Sequence, residues 1–166
     1  MVVWFIGISG AGKTTLGNML NKYFKRNNIS SFVIDGDLVR DFYNNDLGYS
    51  KKDRISNIKR ILLAAYILEK NNIIPIVCNI SPFEELRSFA RLKFQSYCEI
   101  FLNKRIEVAI NDDIKNIYKS NLNQSKLVGI DLEFEKPLNP SLIINVDNET
   151  VDESFDKILN YLKNMN

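Results

Sequence analysis

The sequence predicts an α/β protein: a five-stranded parallel sheet with helices on both faces, making three layers. Two observations predict it. Five short apolar runs alternate with longer amphipathic stretches along the chain, as in a parallel sheet whose crossovers are helices. The first run, Val2 to Ile6, leads directly into Gly7-Ile8-Ser9-Gly10-Ala11-Gly12-Lys13-Thr14. That octet fits the phosphate-binding pattern G-x-x-x-x-G-K-[ST] in the strand–loop–helix setting the pattern requires.

After the glycine-rich loop, a helix is expected over about Lys13 to Lys25, because Leu16, Met19, Leu20, Tyr23 and Phe24 recur at helical spacing. Phe32–Ile34 reads as the second strand. A long helix, about Lys52 to Lys70, should bury Ile55, Ile58, Leu62, Ala65 and one of Ile67 and Leu68. Ile73–Cys78 is the third strand, and a helix should follow with Pro82 at its start. Tyr97–Leu102 and Leu142–Val146 are the fourth and fifth strands. The last helix, about Val151 to Lys163, presents Phe155, Ile158, Leu159 and Leu162 on one face. Between Asp112 and Leu138 the apolar period fades and Lys115, Lys119 and Lys126 crowd in. That stretch is expected to be a lid, with a plain surface loop as the competing reading. No repeat or linker divides the 166 residues, so a single domain spanning 1–166 is expected.

Composition narrows the chemistry. The chain is 45% hydrophobic and 25% charged, with a net charge of +2 and its charges interspersed. Neither nucleic acid nor a membrane surface is expected as a partner. There is no histidine, which excludes imidazole bases, Ser-His-Asp triads and His-ligated metals, so any general base must be a carboxylate or a lysine. Cys78 and Cys98 lie in apolar runs that read as neighbouring core strands, and buried free thiols are expected. The chain opens on a strand without the charged start of a signal peptide, and its apolar runs fall short of the about 20 residues needed to span a bilayer. A cytoplasmic location is the expectation.

The loop's glycines let successive N–H groups point into one concavity, and the helix that begins at Lys13 adds its positive end there. Gly7, Ser9, Gly10, Ala11, Gly12, Lys13, Thr14 and Thr15 are therefore the expected ATP-binding set. Lys13 should reach the β- and γ-phosphates, and the Thr14 hydroxyl should ligate the Mg²⁺ that accompanies ATP.

Asp35-Gly36-Asp37 ends the second strand, at the edge where open parallel sheets place ligand groups. Two carboxylates there can handle a hydroxyl and help hold magnesium; a turn with an Asx cap explains them equally well. Arg40 follows one helical turn later. Arg54 and Asn57 share a helix face with Lys59 and Arg60 nearby, and a guanidinium there can grip a phosphate in two places. Ile80-Ser81-Pro82 ends the third strand where many phosphate-loop hydrolases carry an acid for magnesium, so Asp35 or Asp37 must supply that charge.

An ordered series of segments now resembles the adenylylsulfate (APS) kinase family over almost the whole chain. After the phosphate loop come Asp35-Gly36-Asp37-Leu38-Val39-Arg40, Asp46-Leu47-Gly48-Tyr49-Ser50, Asp53-Arg54 and Asn57-Ile58-Lys59-Arg60. Then follow Ile80-Ser81-Pro82-Phe83, Ile117-Tyr118-Lys119, Gly129-Ile130-Asp131, Glu135-Lys136-Pro137 and Pro140. The resemblance implies a phosphate-loop kinase fold and transfer of the γ-phosphate of ATP to the 3′-hydroxyl of an adenosine 5′-phosphosulfate nucleotide. It implies Asp37, Asp35 and Lys13 as catalytic residues, with Thr14 and Asp35 at the metal. Arg40, Tyr49, Arg54, Asn57, Ile80, Ser81, Lys119 and Leu127, with Asp37, would hold the acceptor. Homodimers are a further implication.

The family usually sandwiches the acceptor base between two phenylalanines. Here those positions are Tyr49 and Leu127, and a leucine has no π-face, a loss on the order of 1 kcal/mol. An arginine the family often places beside the ATP base falls near Asp112. A sister activity on a smaller pyrimidine nucleotide, such as the cytidine diphosphoramidate of capsule decoration, is therefore the alternative acceptor. Other classes fit less well. A GTP switch needs Asn-Lys-x-Asp, but Ile106 follows Asn103-Lys104-Arg105; a shikimate-type kinase needs a glycine-rich turn after the third strand; and a non-catalytic nucleotide-binding subunit would not need Lys13, Thr14, Asp35 and Asp37 together.

Overall fold

In chain order the elements are β1 (Val2–Ile6), α1 (Lys13–Arg26), β2 (Ser31–Asp35), α2 (Gly36–Phe42), α3 (Lys51–Lys70), β3 (Ile74–Cys78), α4 (Glu84–Lys93), β4 (Tyr97–Asn103), α5 (Ile106–Asp112), β5 (Leu142–Asn145) and α6 (Val151–Lys163). The computed structural model describes residues 1–112 and 127–165. Lys115, Lys119, Lys126 and half of the expected lid lie outside the described residues.

The five strands form one sheet in the order β2-β3-β1-β4-β5, and every pairing is parallel. β1 lies in the middle with all five residues buried, and its alternation divides the core. Val2, Trp4 and Ile6 face the layer holding Ile58, Ile61, Leu62 and Ala65 of α3 and Leu86 and Ala90 of α4. Val3 and Phe5 face Leu16, Leu20 and Phe24 of α1 and Ile158 and Leu162 of α6. Each such aliphatic or aromatic side chain contributes about 1.5–3 kcal/mol on burial, so this two-sided core is what holds the loops at the sheet's edge in place.

The helices begin where their caps allow. Thr150 and Glu153 form a reciprocal capping box ahead of α6, and the Ser50 hydroxyl accepts the Asp53 amide ahead of α3. Within α3, Leu68 packs against the core while Ile67 is exposed, and Ile61 is fully buried. α4 departs from expectation. It starts at Glu84 with Phe83 as its cap, so Pro82 stands before the helix and not at its first turn. The reason is remote: the Glu84 amide donates to the Glu135 carboxylate (2.6 Å) and the Glu135 amide to the Pro82 carbonyl (3.0 Å). A distant segment therefore caps α4. A second correction concerns the cysteines. Both are buried free thiols, but β1 runs between their strands, with Phe5 beside Cys78 and Val3 beside Cys98.

Among the described residues no helix is long and apolar enough to cross a membrane.

Candidate active site

All five strands run the same way, so their carboxyl ends open onto one edge of the sheet, where ligands bind in such folds. The phosphate loop follows β1 there. Gly10 and Gly12 adopt left-handed φ of 77° and 91°, which side-chain-bearing residues rarely reach. Gly12 caps α1 without any side-chain hydrogen bond, and the helix has no acid in its first turn. Its N-terminal amides and the positive end of its dipole therefore suit an anion at the loop. Ala11 is buried in the core beneath the loop, whereas Thr15 is exposed. Lys13 arches over the loop, its Nζ donating to the carbonyls of Gly7 (2.9 Å) and Ile8 (2.7 Å).

The Thr14 hydroxyl donates to Asp35 Oδ2 at 2.7 Å, across 21 residues of sequence. The other carboxylate oxygen of Asp35 accepts the Asp37 amide at 2.9 Å and caps α2. The Asx-cap reading of Asp35-Gly36-Asp37 holds, and the same carboxylate is also a neighbour of the phosphate loop. The pair Thr14 and Asp35 offers hard oxygen donors to a magnesium ion. Among the described residues no group of three or more Cys, Asp or Glu converges to hold a metal. A cation here would need phosphate oxygens or water to complete its shell.

Next to this lies a cationic cluster built from α2, α3 and the turn between them. Arg40 is buried, and its Nη1 donates to the carbonyls of Leu47 (3.1 Å) and Gly48 (2.9 Å). That grip sets the turn carrying Tyr49. The Tyr49 ring has the Arg40 guanidinium 4.7 Å and the Arg54 guanidinium 5.3 Å from its centroid, and Arg54 Nε donates to the Tyr49 carbonyl at 3.0 Å. Burial lowers the Arg54 pKa below its usual value, and the nearby charge of Arg40 pushes the same way, against the raising influence of Tyr49 and Asp37. Two guanidiniums so close favour an anion between or beside them. Asn57 is buried; its Nδ2 donates to the Gly36 carbonyl at 3.3 Å, while its Oδ1 has no hydrogen-bond partner among the described residues.

The tip of β3 closes the group. Ile80 accepts the Gly7 amide through its carbonyl (3.4 Å). Ser81 is buried with a left-handed φ of 46°, a strained state for a residue with a side chain. Its amide and hydroxyl both donate to Asn79 Oδ1, and the hydroxyl accepts the Trp4 indole N–H at 2.9 Å. A Cβ on Gly36 would stand 2.2 Å from Asn79 Nδ2, so a larger residue there would push the Asn79 amide away from this tip.

The structure therefore brings Lys13, Thr14, Asp35 and Asp37 to one edge with Arg40, Tyr49, Arg54, Asn57, Ile80 and Ser81. Leu127 is placed otherwise: it is buried in an apolar cluster with Ile8 and Ala109, packed by Ile106 and Phe134. Lys119 lies outside the described residues. Sequence reasoning missed Asn79 and Lys104. Asn79 adjoins Ile80-Ser81, and its position at a strand end was a signal. Lys104 donates to the Gly10 carbonyl (3.3 Å) and pairs with Asp112 (2.7 Å), contacts between segments that no local pattern announces.

A parallel sheet with a lysine-bearing phosphate loop after its central strand, a threonine locked to an acid and a second acid two residues on defines a phosphate-loop kinase. Comparison narrows the class. The family model described as adenylylsulphate kinase matches residues 1–145. Adenylyl-sulfate kinases of Halothermothrix orenii and of a Picosynechococcus are each 37% identical, covering 98% of this chain and 89% and 93% of theirs. The Mycobacterium tuberculosis APS kinase, solved with AMPPNP and APS, superposes with a TM-score of 0.88 at 29% identity, over 98% of this chain and 96% of that one. The chain belongs to the adenylylsulphate kinase family. It is an ATP-dependent phosphotransferase with a hydroxyl group as acceptor.

Proposed function

We propose that the chain transfers the γ-phosphate of ATP to the 3′-hydroxyl of a nucleotide whose 5′ end carries a charged mixed anhydride, in the cytoplasm and with Mg²⁺. The observation that supports this best is the pair of guanidiniums, Arg40 and Arg54, on the Tyr49 ring beside Asp37. An aromatic face next to two cations suits a base joined to a 5′ anion.

Lys13 would leave the Gly7 and Ile8 carbonyls for the β- and γ-phosphate oxygens, while the loop amides and the start of α1 hold the rest of the chain of phosphates. Asp37 orients the 3′-hydroxyl and takes its proton. The bond from γ-phosphorus to the bridging oxygen breaks as the bond to the 3′-oxygen forms, in line, and ADP leaves. Thr14 and Asp35 would hold the magnesium ion, which supplies neutralising charge at the phosphates. Asn57 and the backbone at Ile80 and Ser81 frame the acceptor, and Lys119, outside the described residues, is proposed as a further contact to the phosphates.

Adenylylsulfate is the acceptor that the relatives' names support. A cytidine diphosphate derivative such as CDP-phosphoramidate is the second reading, favoured by Leu127: an aliphatic side chain packed on Ile8 and Ala109 offers no second stacking face. A coupled ADP-release assay comparing kcat/KM for adenylylsulfate, CDP-phosphoramidate and plain CDP decides. Turnover of either modified nucleotide, with the product phosphorylated at the 3′ position, supports the proposal. Turnover of neither, in protein that binds ATP, overturns it.

A further inference from the structure

We propose that Arg87 is a positioning residue for the acceptor nucleotide, acting through the main chain of Ser81 and the segment at Glu135. This rests on the reading that the β3 tip faces the acceptor.

Arg87 is 1% exposed, in the first turns of α4. A buried guanidinium is costly unless its N–H groups are paired. Its ion pairing is ample: Nε and Nη2 donate to Glu84 Oε2 at 3.0 and 2.8 Å, and Glu99 Oε1 lies 4.0 Å from Nε. Structural pairing with carboxylates therefore accounts for one side of the group. It does not account for the two shortest bonds, which run to main-chain carbonyls of separate segments. Nη1 donates to Ser81 O and Nη2 to Glu135 O, both at 2.6 Å.

Each of those carbonyls belongs to a segment that needs holding. Ser81 occupies its strained left-handed state only because its surroundings over-determine it. Asn79 takes its amide, Trp4 its hydroxyl, and Arg87 its carbonyl. The Glu135 segment crosses this tip, joined to it by the Glu135 amide on Pro82 and by its carboxylate on the α4 terminus. Phe134, next in the chain, stacks on Phe101 (5.7 Å between centroids) and lies under the Arg87 guanidinium. Arg87 is thus the only described side chain bonded to both carbonyls, a rivet between the tip carrying Ile80 and Ser81 and the segment returning from Leu127. Because Asn79 packs on Gly36, a shift of the tip would be felt at Asp35 and Asp37.

The test uses the full chain and its single tryptophan, Trp4, whose indole bonds Ser81 and so reports on the tip. Wild type, Arg87→Met and Arg87→Lys are compared for KM toward ATP and toward whichever modified nucleotide the wild type phosphorylates. Trp4 emission is followed during acceptor titration. Arg87→Met is expected to raise the acceptor KM about tenfold or more with the ATP KM within about twofold, and to weaken the acceptor-induced Trp4 change. Arg87→Lys, which keeps a cation for Ser81 O, should recover part of both. Equal changes in the two KM values, or a lysine variant no better than the methionine one, overturns the proposal. If Arg87→Met does not fold, Glu135→Ala loosens the same segment with Arg87 in place: a selective rise in acceptor KM supports the proposal, and an unchanged acceptor KM overturns it. Wild-type protein that turns over neither acceptor sinks the functional reading itself, a different result from an active wild type whose Arg87 variants behave like it.

Discussion

The two halves of the site are built by different means. The proposed donor half is a short run of consecutive backbone, Gly7 to Thr15, tied to distant segments by Thr14 on Asp35, Gly7 on Ile80 and Lys104 on Gly10. The proposed acceptor half draws on α2, the 47–50 turn, α3 and the tip of β3, and its side chains are spent on one another: Arg40 on two carbonyls and a ring, Ser81 on Trp4 and Asn79. A phosphate cradle made of amides tolerates change in side chains, because the backbone does the binding. An acceptor pocket made of side chains changes whenever one of them does. Tyr49 stands on that second side, which is why the comparison of acceptors is the open experiment and the donor is not.

The comparison can be broken first at the chemistry. Asp37→Asn should lower kcat by about 10²–10⁴-fold while ADP affinity by calorimetry stays near wild type; unaltered turnover would remove Asp37 from the reaction. Lys13→Met should cost about 10²–10³-fold in kcat, because it deletes a donor aimed at developing charge, and it should do so equally for every acceptor. A Lys13 variant that discriminates between acceptors would erase the division into halves.

Smaller effects sharpen it. Tyr49→Leu should weaken the acceptor by about 1–3 kcal/mol in KM, the worth of one stacked base, and leave the KM for ATP alone. Leu127→Phe separates packing from recognition. Against Ile8 and Ala109 a larger ring over-packs, so the thermal midpoint should fall by an amount corresponding to about 1–3 kcal/mol. An unchanged midpoint with activity moved toward adenine nucleotides would instead put Leu127 beside the base.

The smallest effect concerns the thiols. Burial pushes Cys78 up to about 12, with Asp35 adding to the rise and Lys13 opposing it; burial likewise pushes Cys98 to about 12. Both should resist a thiol reagent at pH 8 in the native state and react in denaturant. The sign for stability follows. Both states are protonated below the ordinary value of 9.0, and above it the unfolded chain ionises first. Stability is therefore present below about pH 9 and lost as pH rises toward 12, which denaturant midpoints across that window measure.

The elements that were legible from the chain are those whose signals are local. β1 and α6 have the expected bounds, because a continuous apolar run and a capping box are written in adjacent residues. Pro82 reads as the start of a helix that begins only at Glu84, because its neighbours do not reveal that Glu135 supplies the cap. The cysteines were assigned to adjoining strands because sequence order says nothing about β1 sliding between β3 and β4.

What the sequence by itself determined is the parallel α/β architecture, the phosphate loop and the residue types able to carry phosphoryl transfer, since period, glycine spacing and the absence of histidine need no long-range information. Tertiary structure alone decided that Asp35 serves Thr14 and α2 together, that Arg40 and Arg54 converge on Tyr49, that Leu127 packs beneath the phosphate loop, and that Arg87 joins Ser81 to Glu135. The physical reason is that each of these is a contact between segments far apart in the chain, whose meeting depends on strand order and on which side chains the core leaves at the sheet's edge.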